Sequence, residues 1–157
     1  MRAELINPFI VAAQNVFQTM LGTTLTRGQV GLKDSHTPTH EVSGLIGLCG
    51  QLQGMVVVTV SRTTAIRAAE VMLGSRPSEL NSDVVDAVGE LTNMIAGAAK
   101  TTLEAYQLDI SLPTVICGKA HSISFPSGSW PLTIPFDSEM GPVCVEVGLV
   151  DTPGGRA

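Results

Sequence analysis

The chain has 157 residues, a net charge of −5, 44% hydrophobic residues and only 15% charged ones. That length suits one domain with a sizeable core, and the apolar balance asks for a large core or a covered subunit surface. The acidic charge, with no basic cluster, excludes a nucleic-acid binder; no apolar run is long enough to cross a bilayer. The N-terminus lacks a basic region followed by an apolar core and cleavage site, so a cytoplasmic protein with no membrane segment is expected.

Asn7-Pro8 predicts the start of a first helix, with Asn7 as cap and Pro8 at the first helical position. It runs through Phe9, Ile10, Ala13, Val16, Phe17 and Met20 to a stop at Gly22. Residues 24–33 have strand character. Residues 34–40 form a polar loop, in which Pro38 between His36 and His40 argues against a helical metal pair. Val42 to Cys49 and Leu52 to Val60 predict a hairpin turning at Gly50-Gln51. The second strand is apolar on both faces, which places it centrally. Gly44, Gly47 and Gly50 lack the Lys-Ser/Thr and helix of a phosphate loop, and read as strand glycines that admit a neighbouring backbone.

Ser61 caps a short helix that ends at Gly74. A long helix follows from Ser82 as its cap to the region of Tyr106-Gln107. Strands are predicted at 114–118, 122–125, 132–136 and 143–150, broken by prolines. Residues 1–151 read as one domain and 152–157 as a loose tail. Cys49, Cys117 and Cys144 are odd in number, far apart and in apolar stretches, so they read as buried small hydrophobes; no metal or cofactor site of the chain's own is expected. Tyr106 and Trp130 read as packing residues.

The long helix carries the chemistry. Val84, Val88, Leu91, Ile95, Ala98 and Thr102 recur at steps of three and four and predict the buried face. Asp86, Glu90, Asn93, Gly97, Lys100 and Glu104 lie opposite. Glu90 and Asn93, three apart, share one patch with Cβ atoms about 5–6 Å apart. Gly97, one turn on, leaves that patch without a blocking side chain. Met94 stands at its edge.

Glu90-Leu91-Thr92-Asn93, followed by Met94-Ile95-Ala96-Gly97-Ala98-Ala99-Lys100, resembles the E-x-x-N helix of the CheX/CheC/FliY group of chemotaxis phosphatases. The resemblance implies a single α/β (α+β) domain: a mainly antiparallel twisted sheet carrying two long helices on one face. It implies hydrolysis of the aspartyl phosphate of a CheY-like response regulator. Asn93 would position the attacking water and Glu90 would pair with a lysine of the regulator, with Asp86, Met94 and Gly97 completing the partner surface. Mg²⁺ would belong to the regulator. In this group the two long helices are related by a pseudo-twofold, and some members carry a pair on each. The first helix keeps Asn15 but has Ala12 where the glutamate would stand, which is the one-site pattern of CheX.

A homodimer joined through sheet edges is also expected. Val143 to Val150 has few charges to protect it if it lies at an edge. The rival reading is a non-catalytic regulator-binding or flagellar-switch adaptor of the same fold, which need not keep the Glu90/Asn93 pair.

Overall fold

The computed structural model describes residues 3–119 and 121–153. Helix α1 spans Ala3–Leu21, and two short strands follow, β1 (Thr26–Arg27) and β2 (Gly31–Leu32). The hairpin is β3 (Val42–Cys49) and β4 (Leu52–Val60). Helices α2 (Arg62–Leu73) and α3 (Ser82–Thr102) come next, then a 3-10 turn at Glu104–Tyr106. The chain closes with β5 (Asp109–Ile110), β6 (Thr114–Cys117), β7 (Leu132–Asp137) and β8 (Val143–Asp151).

These strands form one sheet in the order β1-β7-β8-β4-β3-β5, with β2 also on β7 and β6 also on β3. Every pairing is antiparallel. The centre is β4, paired along its length with β3 and β8. Its run of valines suits a strand covered on both sides. Alternation along β8 sends Val143, Val145, Val147 and Leu149 into the core under the helices. Cys144, Glu146 and Gly148 turn to the other face.

The helices lie on the first of these faces. α3 packs over β3, β4, β5 and β6, α1 lies beside α3 and reaches β8, and α2 packs on α3. Phe9, Phe17, Ile95, Ala13 and Ala99 are all fully buried in this layer. Two loop segments cover the opposite face. Phe125, Ser129 and Pro131 crowd the backbone of Gly148. Lys33 forms an ion pair with the buried Glu146. The Ile123 N–H donates to the His36 carbonyl at 2.7 Å, and the Ser43 hydroxyl meets the His121 Nε2 at 3.1 Å.

Several expectations need correction. Helix α1 begins at Ala3, so Asn7-Pro8 lies inside it. Leu5 and Ile6 are buried, and their packing extends the helix past the proline signal. The strand expected over 24–33 is two short pieces, because Pro135 of β7 has no N–H to complete the ladder between them; the Gly28 N–H still donates to the Pro135 carbonyl at 2.8 Å. Residues 122–125 form no strand and serve as part of the loop cover. The cap of α3 is Asn81, whose Oδ1 accepts from the Val84 N–H at 3.1 Å, one residue before the expected Ser82. The α-helix itself stops at Thr102.

Only Cys144 of the three cysteines is buried; Cys49 and Cys117 are exposed near strand ends. Burial pushes the Cys144 thiol up to about 11. His36 is exposed, but His40 is half-buried, and that burial lowers its pKa. Trp130 is exposed and packs little, whereas Tyr106 is half-buried against the core. Finally, β8 lies inside the sheet between β4 and β7, so it offers no edge. The outer strands are β1 and β2 at one end and β5 and β6 at the other. Of the expected loose tail, residues 154–157 lie outside the described residues.

Candidate active site on the third helix

Helix α3 is amphipathic and firmly seated. Its buried face is Val84, Ala87, Val88, Gly89, Leu91, Thr92, Ile95, Ala96 and Ala99. Ala98 and Thr102, expected on that face, are exposed. Toward the end of the helix Ala96 and Ala99 take the core-facing positions, and Thr102 is its last residue.

Thr92 seats the helix on β3 at the level of the site. The Thr92 hydroxyl donates to its own helix, to the Val88 carbonyl, at 2.8 Å. The same side chain occupies the space above Gly44 of β3, where an added Cβ would overlap its Oγ1 and lie 3.0 Å from its Cβ. Gly44 thus admits a side chain of the helix, whereas the sequence suggested a neighbouring backbone. Thr92, between Glu90 and Asn93 in the sequence, is the seating position that reading residue types alone missed. Its signal was a glycine in a strand facing a helix.

The outward stripe holds the predicted residues together. Asp86 and Glu90 are exposed, and Asn93, Met94 and Gly97 are half-buried. Met94 packs partly against the core. No other described side chain holds Glu90 or Asn93 by a hydrogen bond. An added Cβ on Gly97 would meet nothing within 4 Å, so the surface beside Asn93 is open. This places an exposed carboxylate and a half-buried carboxamide three residues apart on one helix, beside a position with no side chain. On α1, Asn15 is exposed but Ala12, in the place of the glutamate, is buried.

The family model described as chemotaxis phosphatase CheX matches residues 42–137, which run from β3 to β7 and include α3. The chain belongs to the CheX family. A relative named CheY-P phosphatase CheX, from Thermotoga maritima, is 28% identical over 122 residues, covering 76% of this chain and 79% of the relative. A CheC-like superfamily protein from Shewanella sp. PV-4 superposes with a TM-score of 0.88 at 36% identity, over 96% of this chain and 99% of that one. The CheX of a CheX–CheY–BeF3–Mg²⁺ complex from Borrelia burgdorferi gives a TM-score of 0.78 at 28% identity, over 96% of this chain and all of that one (100%). The CheX-like fold, a single domain with an antiparallel sheet and three helices, matches the architecture that the family resemblance implied.

Among the described residues, no three His, Cys, Asp or Glu side chains gather as a metal site, and no helix is long and apolar enough to cross a membrane.

Proposed function

We propose that this CheX-family chain removes the phosphoryl group from the aspartyl phosphate of a CheY-like response regulator. The observation that carries the reading is the Glu90/Asn93 pair, presented outward on α3 beside the open Gly97. The family match and the relative named CheY-P phosphatase support the reaction class.

Water attacks phosphorus in line, the P–O bond to the aspartyl carboxylate breaks, and inorganic phosphate leaves with the aspartate restored. Such a reaction gains mostly from positioning and electrostatics. Asn93 suits this work because its carboxamide oxygen accepts from the water while its NH₂ donates to a phosphoryl oxygen. Glu90 pairs with a lysine of the regulator and so orients Asn93. Asp86, Met94 and Gly97 complete the surface that the regulator covers. Mg²⁺ belongs to the regulator's own site, where it neutralises phosphoryl charge; the presence of Mg²⁺ and BeF3 in the B. burgdorferi CheX–CheY complex supports this. The protein acts in the cytoplasm as a homodimer joined through an outer strand of the sheet, with α3 left outward.

The deciding experiment follows phosphate release from a phosphorylated CheY-like regulator with and without this protein. Acceleration at substoichiometric protein is the expected result. Binding without acceleration would favour the adaptor reading instead, and sedimentation at micromolar concentration tests the dimer.

A further inference from the structure

Leu112 is 88% exposed, more than any other exposed large hydrophobic residue described. It sits in the connection between β5 and β6, and that connection is pinned to the sheet. The Ser111 N–H donates to the Gly47 carbonyl at 3.0 Å, and the Ser111 Oγ accepts from the Gly47 N–H at 2.9 Å. The same hydroxyl donates to the Leu112 carbonyl at 3.0 Å. Pro113 fixes its own φ and restricts the backbone of Leu112. The leucine is therefore held out on a rigid support.

That support abuts the catalytic helix. An added Cβ on Gly89 would stand 3.4 Å from the Val115 Cγ2 and 3.9 Å from the Pro113 Cγ. Gly89 immediately precedes Glu90. Asn93 is four residues further, so it lies about 40° round the helix axis from Gly89 and roughly 6 Å along it. Asn93 thus leans toward the flank where Leu112-Pro113 lies. Met94, about 140° round from Gly89, occupies the other flank.

We propose that Leu112 is an apolar docking contact for the response regulator, extending the α3 surface sideways from Asn93. The proposal rests on the reading that the regulator docks on α3. An ion pair at Glu90 sets register and on-rate, but affinity at such surfaces comes largely from a few desolvated anchors. A leucine on a backbone already fixed loses little further freedom when covered. The occupant is the regulator because a partner that places its phosphoryl group against Asn93 must also pass over the adjoining flank.

The test compares Leu112→Ala and Leu112→Asp with the wild type and with Leu32→Ala, an exposed leucine at the opposite end of the sheet. Two readouts are needed: the KM and kcat for phosphorylated regulator, and the Kd for regulator loaded with beryllofluoride and Mg²⁺. Melting and sedimentation accompany each variant. Leu112→Ala should raise KM and Kd several-fold and Leu112→Asp about tenfold or more, with kcat within about twofold, while Leu32→Ala stays at wild-type values. A Leu112→Asp protein with wild-type KM and Kd would overturn the proposal. So would a rise that comes with dissociation of a dimer, which would assign Leu112 to contact with a second copy. Asn93→Ala in the same series separates the two ideas. Full turnover by Asn93→Ala beside a Leu112 binding defect would sink the catalytic reading and keep the docking contact; a dead Asn93→Ala beside a silent Leu112→Asp would do the reverse.

Discussion

Thr92 fills the volume above Gly44, so the helix that carries Glu90 and Asn93 rests on a strand position with no side chain. A methyl group at Gly44 would force the helix and the strand apart. We expect Gly44→Ala to destabilise by about 1–3 kcal/mol, as overpacking does in close-packed interiors. Turnover should fall as well, because a small displacement of a positioning group is costly. Thr92→Ala in the Gly44→Ala background should recover part of both. Urea denaturation and phosphate release on the wild type, each single variant and the double variant check this. An unaffected Gly44→Ala would mean that the close approach does not position the site.

Asn93→Ala should abolish most turnover while regulator binding survives. The carboxamide acts on the water and phosphoryl group in the transition state and adds little in the ground state. Loss of such an interaction costs about 2–4 kcal/mol, comparable to removal of an oxyanion-hole donor. A variant that keeps near-wild-type kcat at saturating regulator rules out this role.

The α3 stripe could be read from the sequence because helical periodicity and the Glu90-x-x-Asn93 spacing are local. The same is true of α2, where the Ser61 Oγ accepts from the Thr64 N–H and Gly74 takes the left-handed turn. The β3–β4 hairpin and the central place of β4 also followed from pattern alone. What escaped was non-local. Nothing near Gly44 announces Thr92, and nothing near Lys33 announces Glu146, 113 residues away. The split of the first strand depends on Pro135 in its partner, and the start of α1 depends on the burial of Leu5 and Ile6. The interior place of β8 follows from pairings to β4 and β7 that its own residues do not specify.

Glu90→Ala should weaken the regulator complex and also slow turnover. The lost carboxylate would both hold a lysine of the partner and orient Asn93. Glu90 is exposed, so the wild-type affinity should fall as salt rises, and the variant should lose part of that dependence. Titration of regulator at several salt concentrations measures this. Identical affinity and identical salt slopes in the two proteins would place Glu90 outside the interface.

Asn15→Ala should leave turnover within about twofold of the wild type. Asn15 is exposed on α1, but its companion position is the buried Ala12, so no carboxylate stands beside it to hold a regulator. An exposed polar residue of this kind contributes little to stability, and the variant should melt with the wild type. A large loss of turnover in this folded variant would mean that α1 carries a working site.

The ion pair between Lys33 and Glu146 should control stability and its dependence on pH. Glu146 is fully buried on a central strand, and its Oε1 has no hydrogen-bond partner among the described residues. Lys33 is nearly buried and also donates to the Thr37 carbonyl at 3.0 Å, so it ties the loop cover to the sheet. Burial raises the Glu146 pKa, and Lys33 pulls it back only in part. A carboxyl raised on folding contributes stability below its unfolded pKa, about 4.3, and loses that contribution as pH rises through the folded value. Lys33→Met removes the counter-charge, so Glu146 should move further up and the loss should extend to higher pH. At neutral pH the cost should be about 3–5 kcal/mol, the usual result of leaving a buried charge unpaired. It should shrink as the solution is acidified, because a protonated Glu146 no longer needs the ammonium. Lys33→Met combined with Glu146→Leu should recover most of the loss, since a buried pair can be exchanged for packed apolar groups at little cost. Denaturant midpoints across the acid-to-neutral range measure all three proteins. A Lys33→Met loss of the same size at every pH would show that the lysine acts through packing and the Thr37 contact, with no part played by the charge on Glu146.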